Sequence, residues 1–214
     1  MTAIGVDVAQ GGDDQSVLAP RYGTWFAPLV MKPGVETPDT PAMVGFIVAH
    51  QRDGAGLVID IGGGYGVGPA QFMKDNGAAV ISFDGSKPSM KVVQGSTLGF
   101  YNKRAEALWR LREALDPGQE GGSPIALPPD PAMVADLVAP RYEVGPRGIK
   151  VEMKTDIKKR LLRSTDRGDA VMYAWSEGQA LAEKKLRSGG RKPRVNVGYA
   201  AMKQRRMRHG QLVR

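Results

Sequence analysis

Cysteine is absent from the 214 residues, and histidine occurs only at His50 and His209. The first absence excludes disulfides, thiolate metal sites and a cysteine nucleophile, and it fits a reducing cytosol. Two histidines exclude a histidine-rich zinc site and argue against a Ser-His-Asp triad. No run reaches the roughly 18 apolar residues of a membrane span. "MTAIGVDVAQ" at the N-terminus has no basic region followed by an apolar core, so it does not read as a secretory signal. No GxxxxGK[ST] loop occurs, which excludes a P-loop ATPase. Chemistry must therefore rest on carboxylates, lysines, backbone amides or a cofactor. At 42% hydrophobic residues the chain can bury a proper core, as one large domain or a domain with a tail.

Charge is unevenly spread. Lys184 to Arg214 holds 11 basic residues and no acidic one. The other 19 basic residues face 22 acidic ones, so residues 1–183 carry −3 of the formal net +8. Two segments follow: a globular unit over 1–183 and a basic, partly flexible tail over 184–214. The tail points to an anionic partner, nucleic acid above all, with a merely solvated end as the competing reading.

Periodicity and punctuation give the element order. "AIGVDVAQ" alternates and reads as a strand from Ala3 to Ala9. "QSVLAPRYG" and "TWFAPLVM" read as two more strands, making an antiparallel meander. Asp39 or Thr40 caps a helix with Pro41 at its first position, running to about Arg52. "GLVIDIG" and "AAVISFDG" read as buried parallel strands. The short helix "GPAQFMKDNG" lies between them and stops at Gly77. Asn102 caps "NKRAEALWRLREAL", whose apolar stripe is Ala105, Leu108, Trp109, Leu111 and Leu115. A short helix over "DPAMVADLVAP" follows, then a hairpin around Gly145-Pro146-Arg147-Gly148. A basic helical turn or two, "TDIKKRLL", precedes a long final helix capped near Ser164 or Thr165. The fold class is an α/β layer with helices flanking a mixed sheet that opens on the meander.

"LVIDIGGGYGVGPAQFMKDNGAAVISFDGS", Leu57–Ser86, carries the densest motif. A strand ends in Asp60, a glycine turn follows, and the next strand ends in Asp84. S-adenosylmethionine-dependent methyltransferases open this way: Gly62, Gly64 and Gly66 would approach the cofactor and Asp84 its ribose. Actin-like kinases carry a similar turn, but their two subdomains leave no room here for a basic tail. A metal-dependent nuclease asks for several carboxylates converging from separate elements. Asp7 stands in an apolar strand, on the face opposite to Val6 and Val8. Asp60 ends a strand. Asp166 and Asp169 are three apart at a helix start, hence on one face, where a cation would relieve their repulsion. Turn and helix-cap roles compete for Asp60, Asp166 and Asp169 singly. Their combination with Asp7 favours the metal reading.

These residues resemble the nuclease domain of the large terminase subunit of tailed bacteriophages, over about Ile4 to Trp175. "GVDVAQGGDDQSVLAPRYG" is similar to the family's first strand and hairpin, and "VIDIGGGYGVGPAQFMKDNG" to its second carboxylate segment. "FYNKRAEALWRLREAL" and "IKVEMKTDIKKRLLRSTDRGDAVMYAW" follow, although many relatives have proline where Thr165 stands. The resemblance implies a ribonuclease-H-like fold, shared with Holliday-junction resolvases. It also implies an endonuclease that hydrolyses double-stranded DNA with little sequence preference during viral genome packaging. Asp7, Asp60, Asp166 and Asp169 would hold two Mg²⁺ or Mn²⁺ ions, roughly 3.5–4 Å apart. Asp7 would bridge them, and which of Asp166 and Asp169 binds more directly stays open. Lys150, Lys154, Lys158, Lys159, Arg160 and Arg163 would line the DNA path, with a solvated face as the competing reading; Lys103 and Arg104 would touch DNA from a helix otherwise read as core packing and surface charge. Implied partners are DNA, the portal protein, the small terminase subunit and an ATPase motor supplied separately, with no membrane. The implied location is the cytoplasm of the infected bacterial host. The motor that normally precedes such a domain is missing, so an excised domain, a split-gene product or a stand-alone relative is expected, unable to translocate DNA by itself. A methyltransferase using Asp60, Gly62, Gly64, Gly66 and Asp84, or a non-catalytic DNA-binding packaging module, are the alternatives.

Overall fold

The computed structural model describes residues 1–11, 13–178 and 181. The first strand, β1 (Ala3–Asp7), is buried along its whole length at the centre of a mixed sheet. β2 (Gln15–Tyr22) pairs with it antiparallel, setting Asp7 opposite Val17. On its other side lies β5 (Gly56–Asp60), parallel, with Val6 beside Ile59. β6 (Val80–Phe83) extends the sheet parallel to β5. "TWFAPLVM" is not one strand. It splits into β3 (Trp25–Phe26) and β4 (Val30–Pro33), which pair with different ends of β2. Pro28 sits in the break, because it has no N–H to give to a ladder. The resulting order is β3-β2-β1-β5-β6, with β4 also on β2. A mixed sheet opening on antiparallel pairing was expected; the two short strands in place of one refine it.

Helices cover both faces. α1 (Thr40–His50) is capped by Asp39, whose side chain accepts the Ala42 N–H. With α2 (Val67–Asp75) it packs on Ile4, Val6, Leu57 and Ile59. The opposite face carries α3 (Lys103–Leu115), α4 (Pro131–Val138) and α6 (Asp166–Ser176), packed on Val17, Ala19 and Val58. Asn102 caps α3 through the Ala105 N–H. β7 (Tyr142–Gly145) and β8 (Gly148–Val151) form the separate hairpin, turning at Pro146-Arg147, and α5 (Lys154–Leu161) leads into α6. The expected long final helix is cut short: α6 ends at Ser176, with Glu177 as its C-cap, and the rest of that stretch beyond Gly178 is described only at Leu181. The expected tail, 184–214, lies outside the described residues. Among the described residues no helix is long and apolar enough to cross a membrane.

Strand alternation decides which face receives the acids. Ile4 and Val6 point to α1 and α2, so Gly5 and Asp7 point to α6. Val58, and with it Asp60, faces the same way. α6 lies so close to β1 that a Cβ on Gly5 would stand 1.9 Å from the Ala170 carbonyl oxygen. Only glycine allows that approach, and it brings the first turn of α6 to the carboxylates of the strands.

Candidate active site

Three acids, Asp7, Asp166 and Asp169, meet where the C-terminal end of β1 lies under the start of α6, and Asp60 closes the neighbouring strand β5. Asp7 and Asp169 are 5% and 2% exposed, a burial that carboxylates tolerate only when partnered. The partner is Lys154, first residue of α5. Its Nζ is 2.8 Å from Asp7 Oδ2, 3.1 Å from Asp169 Oδ2 and 3.7 Å from Asp166 Oδ1. Asp60 stands apart from this group. Its Oδ1 accepts the Gly62 N–H at 2.9 Å and its Oδ2 the Tyr173 hydroxyl at 2.8 Å.

Further bonds orient the acids on α6. Thr165 Oγ1 donates to Asp169 Oδ2 at 2.9 Å, and Ser164 Oγ donates to Asp166 Oδ1. The Gln15 N–H reaches Asp166 Oδ2 at 3.2 Å, tying α6 to the start of β2. Thr165 is the N-cap residue, within the expected pair, but its side chain makes no capping bond. Asp136 of α4 caps the helix from outside, accepting the N–H groups of Arg167 and Gly168 on Oδ2 while Oδ1 pairs with Arg163. Both hydroxyls are thereby committed to the site acids.

The electrostatics follow from burial and these partners. Burial pushes Asp7 up to about 8; Lys154 pulls it down, and Asp169 and Asp166 push it further up. Asp60 is also raised by burial, against the donors at Gly62 and Tyr173. Burial would raise Asp169 too, but Lys154, Arg104 and Thr165 outweigh it and hold the group low. For Lys154, burial opposes the charge, and Asp7, Asp169 and Asp166 overcome it, so the amine stays protonated. The balance in the cluster thus favours a proton on Asp7 and the positive charge on Lys154.

The basic residues expected along a DNA path lie elsewhere or are already paired. Lys154 is inside the carboxylate group. Arg104 is largely buried: it donates to the Glu152 carbonyl at 2.8 Å, and its NH2 lies 3.6 Å from Asp169 Oδ1. Among the described residues its Nε and NH2 have no hydrogen-bond acceptor. Lys150 pairs with Glu143, Lys158 with Asp14, Lys159 with Asp156 and Arg160 with Glu152. Arg163 holds Asp136, and Lys103 is exposed at the start of α3. Apart from Lys159–Asp156 within α5, these ion pairs join residues of separate elements or of a hairpin, which a count of basic residues does not reveal.

The glycine turn has a structural task. A Cβ on Gly66 would stand 1.7 Å from the Asp60 carbonyl oxygen, so the turn must close tightly over the strand end. Gly63 and Gly64 take positive φ and face open space. Asp84 lies away from the cluster, accepting from the Ser86 hydroxyl and N–H in its own turn.

As the side chains stand, no three carboxylates or imidazoles among the described residues form a ready cage for a metal ion. The convergence of Asp7, Asp166 and Asp169 on one ammonium nevertheless identifies a point where three carboxylates reach a cation. The donors are all hard oxygens, which suits Mg²⁺ or Mn²⁺ and not zinc. Lys154 and Tyr173 were not legible as partners of these acids. The one signal is the spacing of Tyr173 four residues after Asp169, on the same helix face.

No protein-family model matches the chain, and no curated protein sequence matches it. Solved structures do. The nuclease domain of the large terminase subunit gp2 of bacterial virus Sf6 matches with a TM-score of 0.60 at 18% identity, over 79% of this chain and 85% of that one. A mutant form of the same Sf6 domain, with calcium, gives 0.61 at 17% identity over 79% and 86%. Another mutant form holds manganese and beta-thujaplicinol. The large terminase nuclease domain of Thermus phage P74-26 gives 0.51 at 16% identity, over 82% and 78%. The fold of this chain is therefore the ribonuclease-H-like fold of phage large-terminase nuclease domains.

Proposed function

We propose that this chain is a divalent-metal-dependent endonuclease that hydrolyses phosphodiester bonds of double-stranded DNA during viral genome packaging. The observation that carries the reading is the convergence of Asp7, Asp166 and Asp169 on a single cation, with Asp60 alongside, at one end of a sheet with this fold. The Sf6 domain, of the same fold, has been solved with manganese and with calcium. Two Mg²⁺ or Mn²⁺ ions, when bound, would activate a water and stabilise the leaving oxygen.

The rest falls to the chain's own residues. Lys154 must withdraw from Asp7 and Asp169, which it reaches from the first turn of α5. Asp7, whose ionisation burial opposes, must be ionised to become a ligand. Asp166 and Asp169 are held by Ser164, Thr165 and the Gln15 N–H, so their oxygens are already aimed. Gly63 and Gly64 leave room beside Asp60 for a phosphodiester backbone. Phosphate contacts carry no sequence information, so cleavage has little sequence preference. In this reading the basic segment 184–214 engages DNA or the portal. In the same reading the small terminase subunit and an ATPase motor complete the assembly in the cytoplasm of the infected bacterial host.

The methyltransferase alternative loses its support. Asp84 is engaged in its own turn, and β2 runs antiparallel beside β1, unlike a doubly wound parallel sheet. The test is incubation of supercoiled plasmid with the protein and Mn²⁺ or Mg²⁺. Nicking and linearisation are expected, and Asp7→Asn and Asp60→Asn each abolish both. Equal cleavage by the variants would exclude this site. Metal binding without cleavage would leave a DNA-binding packaging module. Calorimetric binding of S-adenosylmethionine that Asp84→Ala removes would restore the methyltransferase.

A further inference from the structure

Tyr173 is 3% exposed, and a buried hydroxyl needs an acceptor. Its ring packs against Phe83, the last residue of β6, with centroids 5.0 Å apart. Its oxygen donates to Asp60 Oδ2 at 2.8 Å. A phenylalanine would fill the same space without that bond, so packing alone does not account for the hydroxyl.

The bond has a consequence for the four acids. Three of them close on Lys154, and the fourth does not. Asp60 has both oxygens taken by neutral donors, the Gly62 N–H on one side and Tyr173 on the other. Neither donor brings a charge that a divalent ion must displace. Without Tyr173, Oδ2 of Asp60 is left to turn toward the ammonium that already holds its three neighbours. Lys154 would then be bound by four carboxylates instead of three, and a metal would have to displace it from all of them.

Resting on the metal-site reading above, we infer that Tyr173 is a positioning residue: it holds the Asp60 carboxylate away from Lys154 and aimed for a divalent ion. It acts through Asp60 and touches neither metal nor DNA. Its place four residues after Asp169 means that one helix face supplies both ligands and the group that orients the strand ligand.

The test is titration of the full chain with Mn²⁺ by calorimetry, with melting curves in EDTA alongside. Tyr173→Phe should melt close to the wild type in EDTA and bind Mn²⁺ about 10- to 100-fold more weakly, the usual cost of losing a bond that orients a metal ligand. Asp60→Asn should lose at least as much, and the double variant should bind no worse than Asp60→Asn alone, because the two side chains act in series. Unchanged Mn²⁺ affinity in Tyr173→Phe overturns the inference. So does a lower melting temperature with unchanged affinity, which would mark a packing role, or losses that add in the double variant. If Asp7→Asn weakens Mn²⁺ binding and Tyr173→Phe does not, only this inference falls. If the wild type takes up no Mn²⁺, the metal-site reading falls and this one with it.

Discussion

Lys154 is about a third exposed and bonded to two carboxylates that are nearly wholly buried, Asp7 and Asp169. A lysine there does for the metal-free protein what a divalent ion would do with twice the charge. Removing it leaves buried acids unpaired. Lys154→Met should therefore lower the melting temperature in EDTA, a loss of about 1–3 kcal/mol given the partial exposure and the option of protonating an acid. Mn²⁺ should raise the melting temperature of the variant more than that of the wild type. Differential scanning fluorimetry with and without Mn²⁺ checks both. Asp7 gives a pH dependence of known sign. Its folded value, about 8, lies above the unfolded value near 3.9, so the folded state binds the proton more tightly. That contribution is whole below about pH 4 and is lost as pH rises through 8. Metal-free protein should lose stability over this window, and Asp7→Asn should flatten the slope in melts recorded from pH 4 to 9 in EDTA. Both outcomes concern single side chains whose partners come from other elements. Asp7 was legible as an anomaly, an acid in an apolar strand, whereas Lys154 looked like one basic residue among many along α5.

At the scale of elements, the placement of α6 decides whether a site exists. Its first turn holds Asp166 and Asp169, and two of its free N–H groups, those of Arg167 and Gly168, are satisfied by Asp136 of α4. Asp136→Ala should cost about 1–2 kcal/mol, as for a lost helix cap, and release Arg163 as well. Mn²⁺ affinity should fall with it, because the uncapped turn carries two of the proposed ligands. Melting curves and calorimetry on the same variant test the pair of effects. Gly5 sets the distance from the other side. Gly5→Ala forces a methyl group into the backbone of α6 and should destabilise by at least about 1–3 kcal/mol, the range for overpacking a core. Urea unfolding would measure it. Helix starts with their own cap residue, Asp39 and Asn102, could be read locally. The cap of α6 could not, since Asp136 lies about 30 residues earlier and reaches the helix only through packing. The split of "TWFAPLVM" was written in Pro28, a residue that a count of apolar positions passes over.

For the whole molecule, charge is the organising quantity. Residues 1–183 carry −3, and of the eight cations expected to line a DNA path, most are engaged by acids within the fold. The positive excess belongs to residues 184–214, which hold 11 of the 30 basic residues. If that segment meets DNA, affinity should fall steeply with salt. Replacing Arg205, Arg206 and Arg208 by glutamine should reduce the slope of log affinity against log salt by about one for each charge that contacts a phosphate. Mn²⁺ affinity should not change. Fluorescence anisotropy on duplex DNA at several salt concentrations is the measurement, and an unchanged slope would assign the segment to a protein partner.

The amino-acid sequence by itself determined the layer fold, most helices and strands, and the four acids as candidates. Each of these rests on short-range rules: alternation in a strand, 3.6-residue spacing in a helix, a cap residue before it. The tertiary structure alone decided that three of those acids close on Lys154 while Tyr173 holds the fourth apart. It also decided that Asp84 has no part in the cluster and that Arg104 is turned inward. Those relations join β1, β5, α3, α5 and α6, and only packing sets distances between side chains so far apart along the chain.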